Sequence, residues 1–195
     1  MISKQGRGFS VGVGGIPGVG KSHLIQTFAT SGAKGDAAIA GSAVIKAVIA
    51  PLTLREFKDW PEARKLEARI AAIDSLAELR NRTPGTLLVD VHFTLRAPDS
   101  PLPHCVFNAA DRNFYDALVL IEAPPSTVVR WRESDVRRRD LESLEQVEEH
   151  IRVERAEFLR QAALMDVPHL VIDEAALPSR LSALSAFLAH NRGAV

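Results

Sequence analysis

Residues 15–22 read GIPGVGKS, and what they form decides how the rest of the chain is read. Three glycines and a proline in eight residues weaken helix and strand interiors alike. The spacing fits G-x-x-x-x-G-K-[ST], the pattern of a loop that wraps phosphate groups. Glycine lacks a Cβ, so the backbone can bring its N–H groups close to an anion. A helix opening near Lys21 adds its positive end. The Lys21 ammonium reaches β- and γ-phosphates, and the Ser22 hydroxyl is placed to ligate Mg²⁺. The flanks agree. Phe9, Val11 and Val13 alternate along a strand before the loop. Leu24, Ile25 and Phe28 share one face of a helix after it, KSHLIQTFATSG, with Gly32 near its end. Gly15, Ile16, Pro17, Gly18, Val19, Gly20, Lys21, Ser22 and His23 are therefore expected to hold a nucleoside triphosphate.

The bulk composition bounds the remainder. A chain of 195 residues supports one domain, 1–195, with a sizeable core. Hydrophobic content of 46% and charged content of 25% are ordinary for a globular protein. Lys+Arg and Asp+Glu both number 24, so no net positive field draws the chain to DNA. Cys105 is the single cysteine, which excludes an intramolecular disulfide and suits a reducing cytoplasm. No segment has the apolar length of a signal-peptide core or a membrane span. His104-Cys105 has no further ligand at metal spacing.

Strand and helix signals alternate along the chain. AAIA (37–40), GTLLVD (85–90), DALVLIE (116–122) and HLVID (169–173) read as strands, joining the strand at Phe9. An apolar segment, AVIKAVIA, follows Gly41-Ser42. A helix is expected from near Asp59, with Pro61 in its first turn and Leu66, Ile70, Ile73 and Ala77 as its buried stripe. A long charged helix keeps Leu144, Val147, Ile151, Phe158, Ala162 and Met165 on one face, and a last helix does so with Leu177, Leu181, Leu184 and Leu188. APDSPLP, 97–103, reads as a loop. Such alternation implies an α/β fold, a parallel sheet covered by helices on both faces, with ligands at the carboxyl ends of the strands. The loop, Asp90, Glu122 and Asp173 all fall there.

Asp90 closes the third of these strands, where a carboxylate binds the Mg²⁺ held by Ser22, directly or through water; the alternative is a cap on the following turn. His92 points to the same side if the strand continues, to meet a substrate phosphate or to serve as an ordinary loop histidine. RWRESDVRRRDLE, 130–142, interleaves five arginines with four acids. Two readings fit it. One is a solvated helix face with local ion pairs. The other is a cationic clamp, since phosphoryl transfer asks a protein mainly for positioning and positive charge.

Four stretches in order resemble the archaeal-type adenylate kinases, a single-domain branch of the P-loop nucleoside monophosphate kinases. They are GIPGVGKS, VDVHFTLRAPDSPLP (89–103), RRRDLES (137–143) and VEEHIRVERAEFLRQA (147–162). The resemblance implies a three-layer P-loop fold with a five-stranded parallel sheet, and ATP with Mg²⁺ as the donor. It implies a nucleoside monophosphate as acceptor, bound by a region about 41–80, and a lid about 130–142. Arg130, Arg137 and Arg139 fall on the family's lid arginines, and Arg138 on a variable position. Gly41-Ser42 stands where the family has a Phe-Gly-Thr-like turn, and Arg55 where it has an acceptor-binding arginine. The interval between them is short and apolar, which leaves the acceptor open. A nucleotide-switched ATPase or assembly factor acting on a protein or RNA is the alternative, with Glu122 to orient a water. A binding module without activity is a third, against which intact Lys21, Ser22 and Asp90 stand.

Overall fold

The structure, a computed structural model, describes residues 7–31, 34–96, 100, 102–134 and 142–192. Its centre is β1 (Phe9–Gly14), flanked by β3 (Thr86–Asp90) and β6 (Ala117–Ile121), with β2 (Ala37–Ala40) and β7 (His169–Ile172) at the edges. All pairings in this five-stranded sheet are parallel, in the order β2-β3-β1-β6-β7. The register places Asp90 opposite both Val13 and Ala40, so the phosphate-loop pattern and the ends of β2 and β3 share one edge. That edge carries the site.

The continuous apolar runs are explained by burial on both faces. Leu88, Val119 and Ile121 face one core with Val11, Val13, Ile25 and Leu184. Leu87, Val89, Leu118 and Leu120 face the other with Phe93, Phe114 and Phe158. The first core takes its helical cover from α1 (Lys21–Ser31) and α8 (Leu177–Asn191). The second is covered by α2 (Gly41–Val48), α4 (Glu62–Arg82), α5 (Ala109–Phe114) and the far half of α7 (Leu144–Met165). Between them in the chain lie α3 (Leu54–Lys58), α6 (Pro125–Glu133) and a small antiparallel hairpin of β4 (Thr94–Leu95) with β5 (His104–Cys105). Among the described residues, no helix is long and apolar enough to cross a membrane.

Three helical expectations shift. The helix expected from Asp59 is split: Asp59 caps the end of α3, and Pro61 is the N-cap of α4, where its missing N–H costs nothing. Its buried line is Ala68, Ala72, Leu76 and Arg80, while Leu66 and Ile70 are 40% and 42% exposed. Ile73 and Ala77 do pack inward. The exposed pair and the buried line lie two positions apart in sequence, about 200° around the helix. The apolar AVIKAVIA becomes most of α2, so Gly41 and Ser42 open a helix and do not form a separate turn. On α7, Leu144 is 48% exposed, and the inward face includes three polar side chains, His150, Glu154 and Gln161.

Candidate active site

Residues 15–20 leave β1 and enter α1 as the spacing requires. Gly15 has φ 136°, and a Cβ there would lie 2.4 Å from the Ile121 carbonyl oxygen. Gly18 has φ 88°, and a Cβ would lie 2.8 Å from Cγ of Arg132. Both positions therefore demand glycine for conformation and for room. Ile16 and Val19 bury their side chains and offer only backbone to a ligand. His23 is exposed on the first turn of α1.

Cationic side chains take the carbonyls of this loop. Lys21 Nζ, 5% exposed, donates to the carbonyls of Gly15 at 2.5 Å and Ile16 at 3.3 Å. Arg132 donates Nε and Nη2 to the Pro17 carbonyl at 2.9 and 2.7 Å. Arg180, from α8, donates Nη1 to the Val19 carbonyl at 2.8 Å, Nη2 to that of Glu122 at 2.7 Å and Nε to that of Glu174 at 2.6 Å. His92 Nδ1 lies 3.2 Å from the Gly15 carbonyl. With the negative ends of its peptide dipoles covered by cations, the loop presents positive potential before any ligand arrives. Such a cradle fits a polyphosphate.

The metal side is assembled from the next strand. The Ser22 hydroxyl donates to the Asp90 carboxylate, whose other oxygen is 3.6 Å from Lys21 Nζ. A hydroxyl beside a carboxylate is the hard-oxygen pair Mg²⁺ takes from a protein, with phosphates and water completing its octahedron. Among the described residues no group of three or more His, Cys, Asp or Glu side chains could hold a metal.

Three residues that bond to the loop, Glu154, Arg132 and Arg180, are not among those the sequence singles out. Glu154, on α7, is 1% exposed and accepts four hydrogen bonds. They come from the N–H groups of Gly15, Phe93 and Thr94 and from the Thr94 hydroxyl. Burial pushes its carboxyl above the ordinary range, against these bonds and the Lys21 charge. Its signal was there: a glutamate in phase with Val147, Ile151 and Phe158 on an apolar stripe. Arg132 stood inside the arginine cluster but was not singled out. It is 5% exposed, paired with Glu142, which Arg96 Nε also contacts at 2.8 Å. Glu122 is buried too, with Arg155 Nη1 3.2 Å from its Oε2 and its carboxyl pushed up by burial.

The remaining expected residues are placed less closely. Arg130 is exposed on α6, and Arg55 is exposed on α3. Gly41 sits against the end of β3, where a Cβ would lie 2.9 Å from the Asp90 carbonyl. Ser42 follows it, exposed. Arg137, Arg138 and Arg139 lie outside the described residues.

Comparison with known proteins agrees with this geometry. A family model described as an AAA domain matches residues 14–151. Adenylate kinase of Pyrococcus horikoshii is 32% identical over 165 residues, covering 79% of this chain and 80% of the relative. The chain belongs to the adenylate kinase-like family of P-loop nucleoside monophosphate kinases. Adenylate kinases of Methanopyrus kandleri (29% over 172 residues, 85% and 89% covered) and Thermococcus onnurineus (33% over 159 residues, 76% and 77%) are similar as well. Among solved structures, shikimate kinase from Bacteroides thetaiotaomicron superposes with a TM-score of 0.62 at 15% identity, covering 93% of this chain and 98% of its own. Shikimate kinase from Acinetobacter baumannii, in complex with shikimate, gives 0.57 at 16% identity, with 93% of each covered. At those identities the likeness shows the three-layer α/β P-loop kinase fold.

Proposed function

We propose that this chain transfers the γ-phosphoryl group of Mg·ATP to a nucleoside monophosphate, with AMP the first acceptor to test. The observation that carries the reading is the cation-covered loop with Lys21, Ser22 and Asp90 at one end of the sheet. Bound Mg²⁺ would neutralise charge on the donor phosphates, held by Ser22 and Asp90. Lys21 would draw the β- and γ-phosphates into the cradle. The lid arginines Arg130, Arg137 and Arg139 would supply positive charge to the group in flight.

An alcohol acceptor must lose a proton as it attacks, and Asp90, opposite Ala40 in the register, is the carboxylate at that edge. A monophosphate is already anionic and needs no base. Glu122, the carboxylate suited to orienting a hydrolytic water, is engaged with Arg155. Arg55, Gly41, Ser42 and His92 are the residues proposed to meet the acceptor.

The test incubates purified protein with Mg·ATP and a panel of monophosphates, with shikimate and with no acceptor, and separates diphosphate formation from phosphate release. Acceptor-dependent diphosphate, abolished in Lys21→Ala, is the expected result. Phosphate release indifferent to every acceptor would replace the kinase reading with the ATPase one.

A further inference from the structure

We infer that Glu154 is a positioning residue that fixes the phosphate loop against the metal-side segment after β3; the inference rests on the kinase reading above. One carboxylate joins the two. Its Oε1 accepts from the N–H of Gly15 at 3.1 Å and of Phe93 at 3.1 Å. Its Oε2 accepts from the Thr94 N–H at 2.7 Å and the Thr94 hydroxyl at 2.5 Å. Gly15 begins the cradle, and Phe93 follows His92 directly and Asp90 by three residues. The distances Lys21–Asp90 and His92–Gly15 are therefore braced from beneath by a side chain that is itself buried.

The base it stands on is rigid. Glu154 lies on α7 between Val147 and Phe158, both fully buried, and the Phe158 ring packs edge-on against Phe93 at 5.4 Å. Desolvation opposes the charge, while the Thr94 hydroxyl, the Lys21 ammonium and the backbone donors favour it. An apolar side chain there would leave the buried N–H groups of Gly15, Phe93 and Thr94 without an acceptor. What only a carboxylate does is accept from all four donors at once. In-line transfer is sensitive to displacements of about 1 Å, which such a brace controls.

Glu154→Gln keeps size and shape but offers one acceptor oxygen. Either Gly15 and Phe93 or Thr94 then faces an NH₂ group. Two readouts test the consequence in the full chain. Amide hydrogen exchange should accelerate at least about tenfold either at Gly15 and Phe93 or at Thr94, whichever faces the NH₂ group, while that of α7 stays near wild type. At saturating substrates kcat per folded molecule should fall about tenfold to a hundredfold, with each KM moving less than about threefold. Thr94→Val, which removes one of the four bonds, should lower kcat about threefold or more. Unchanged exchange, or a folded Gln variant of lowered melting temperature and normal kcat, overturns the inference. If the Gln variant does not fold, Thr94→Val decides: a normal kcat overturns. A wild-type protein that binds ATP but phosphorylates no monophosphate overturns the kinase reading instead, and the exchange measurement then decides the brace by itself.

Discussion

Arg180→Met asks how much the phosphate loop depends on being held by cations. Arg180 is 3% exposed and donates three hydrogen bonds, to the carbonyls of Val19, Glu122 and Glu174. Desolvation lowers its own pKa, so the guanidinium occupies that position at a cost the three carbonyls offset. Methionine replaces most of the apolar stem, keeping the cavity term small. Hydrogen bonds from a charged donor contribute about 1.5–3 kcal/mol each, but water can reach part of the vacated site. The net loss expected is about 3–5 kcal/mol, allowing for carbonyls that rehydrate. For a domain of this size each kcal/mol shifts Tm by about 2–4 °C, so the melt should fall by roughly 10–15 °C. Arg180→Lys should recover only part, because an ammonium cannot span three carbonyls with a planar fork. Thermal unfolding followed by circular dichroism measures the shift, and titration with a fluorescent ATP analogue reads the loop. Binding should weaken about tenfold, since the uncovered Val19 carbonyl faces the phosphates' side of the charge balance. A Tm within about 3 °C of wild type would refute the reasoning, showing that these carbonyls do not need the cation.

Three further outcomes are expected. Asp90→Asn should be most damaging at limiting Mg²⁺, and a loss equal at every Mg²⁺ concentration would assign Asp90 a structural role. Arg137→Ala and Arg139→Ala should each lower kcat about tenfold to a thousandfold, while Arg138→Ala stays near wild type; if Arg138 is the most damaging, the lid assignment fails. His150, 2% exposed, has its pKa lowered by burial from 6.5 to about 4, so the folded state binds fewer protons than the unfolded one in that window. Stability should therefore drop as pH falls from 6.5, by about 2 kcal/mol at pH 5, and His150→Leu should remove that part of the acid limb in denaturant titrations.

The strands and the phosphate loop were legible because their signals are local. A phosphate loop is defined by eight consecutive residues, and β1, β3 and β6 by apolar runs too short for helices. What stayed hidden was set by which face meets which neighbour. Leu66 and Ile70 have the spacing of a buried stripe, but the face of α4 that packs inward carries Ala68, Ala72, Leu76 and Arg80 instead. Glu154, Arg132 and Arg180 were unreadable as loop supports, because each acts on backbone atoms far away in sequence. Patterns of hydropathy record burial of side chains and carry nothing about carbonyls that a distant cation will cover. Asp90 was found since it ends a strand that carries its own signal.

The charges at the loop also explain how a chain of net charge zero can take up a polyanion. Long-range attraction is absent, so selectivity has to arise from partners already in place. Lys21 is held by two carbonyls and lies 3.6 Å from Asp90, while Arg132 is held by the Pro17 carbonyl and Glu142. Each cation is thus desolvated and oriented before a ligand arrives, with a carboxylate as counter-ion. A phosphate approaching Lys21 competes with Asp90 unless a divalent cation engages that carboxylate at the same time. ATP with Mg²⁺ satisfies both, exchanging one ion pair for two. ATP alone leaves Asp90 facing the phosphates, where like charges repel in a site of reduced dielectric. On the proposed kinase reading a preference for the metal complex is expected from this exchange of partners, and the asparagine variant at position 90 tests it directly: removing the carboxylate should lessen the metal's advantage in binding while leaving the metal-free nucleotide bound at least as tightly as before.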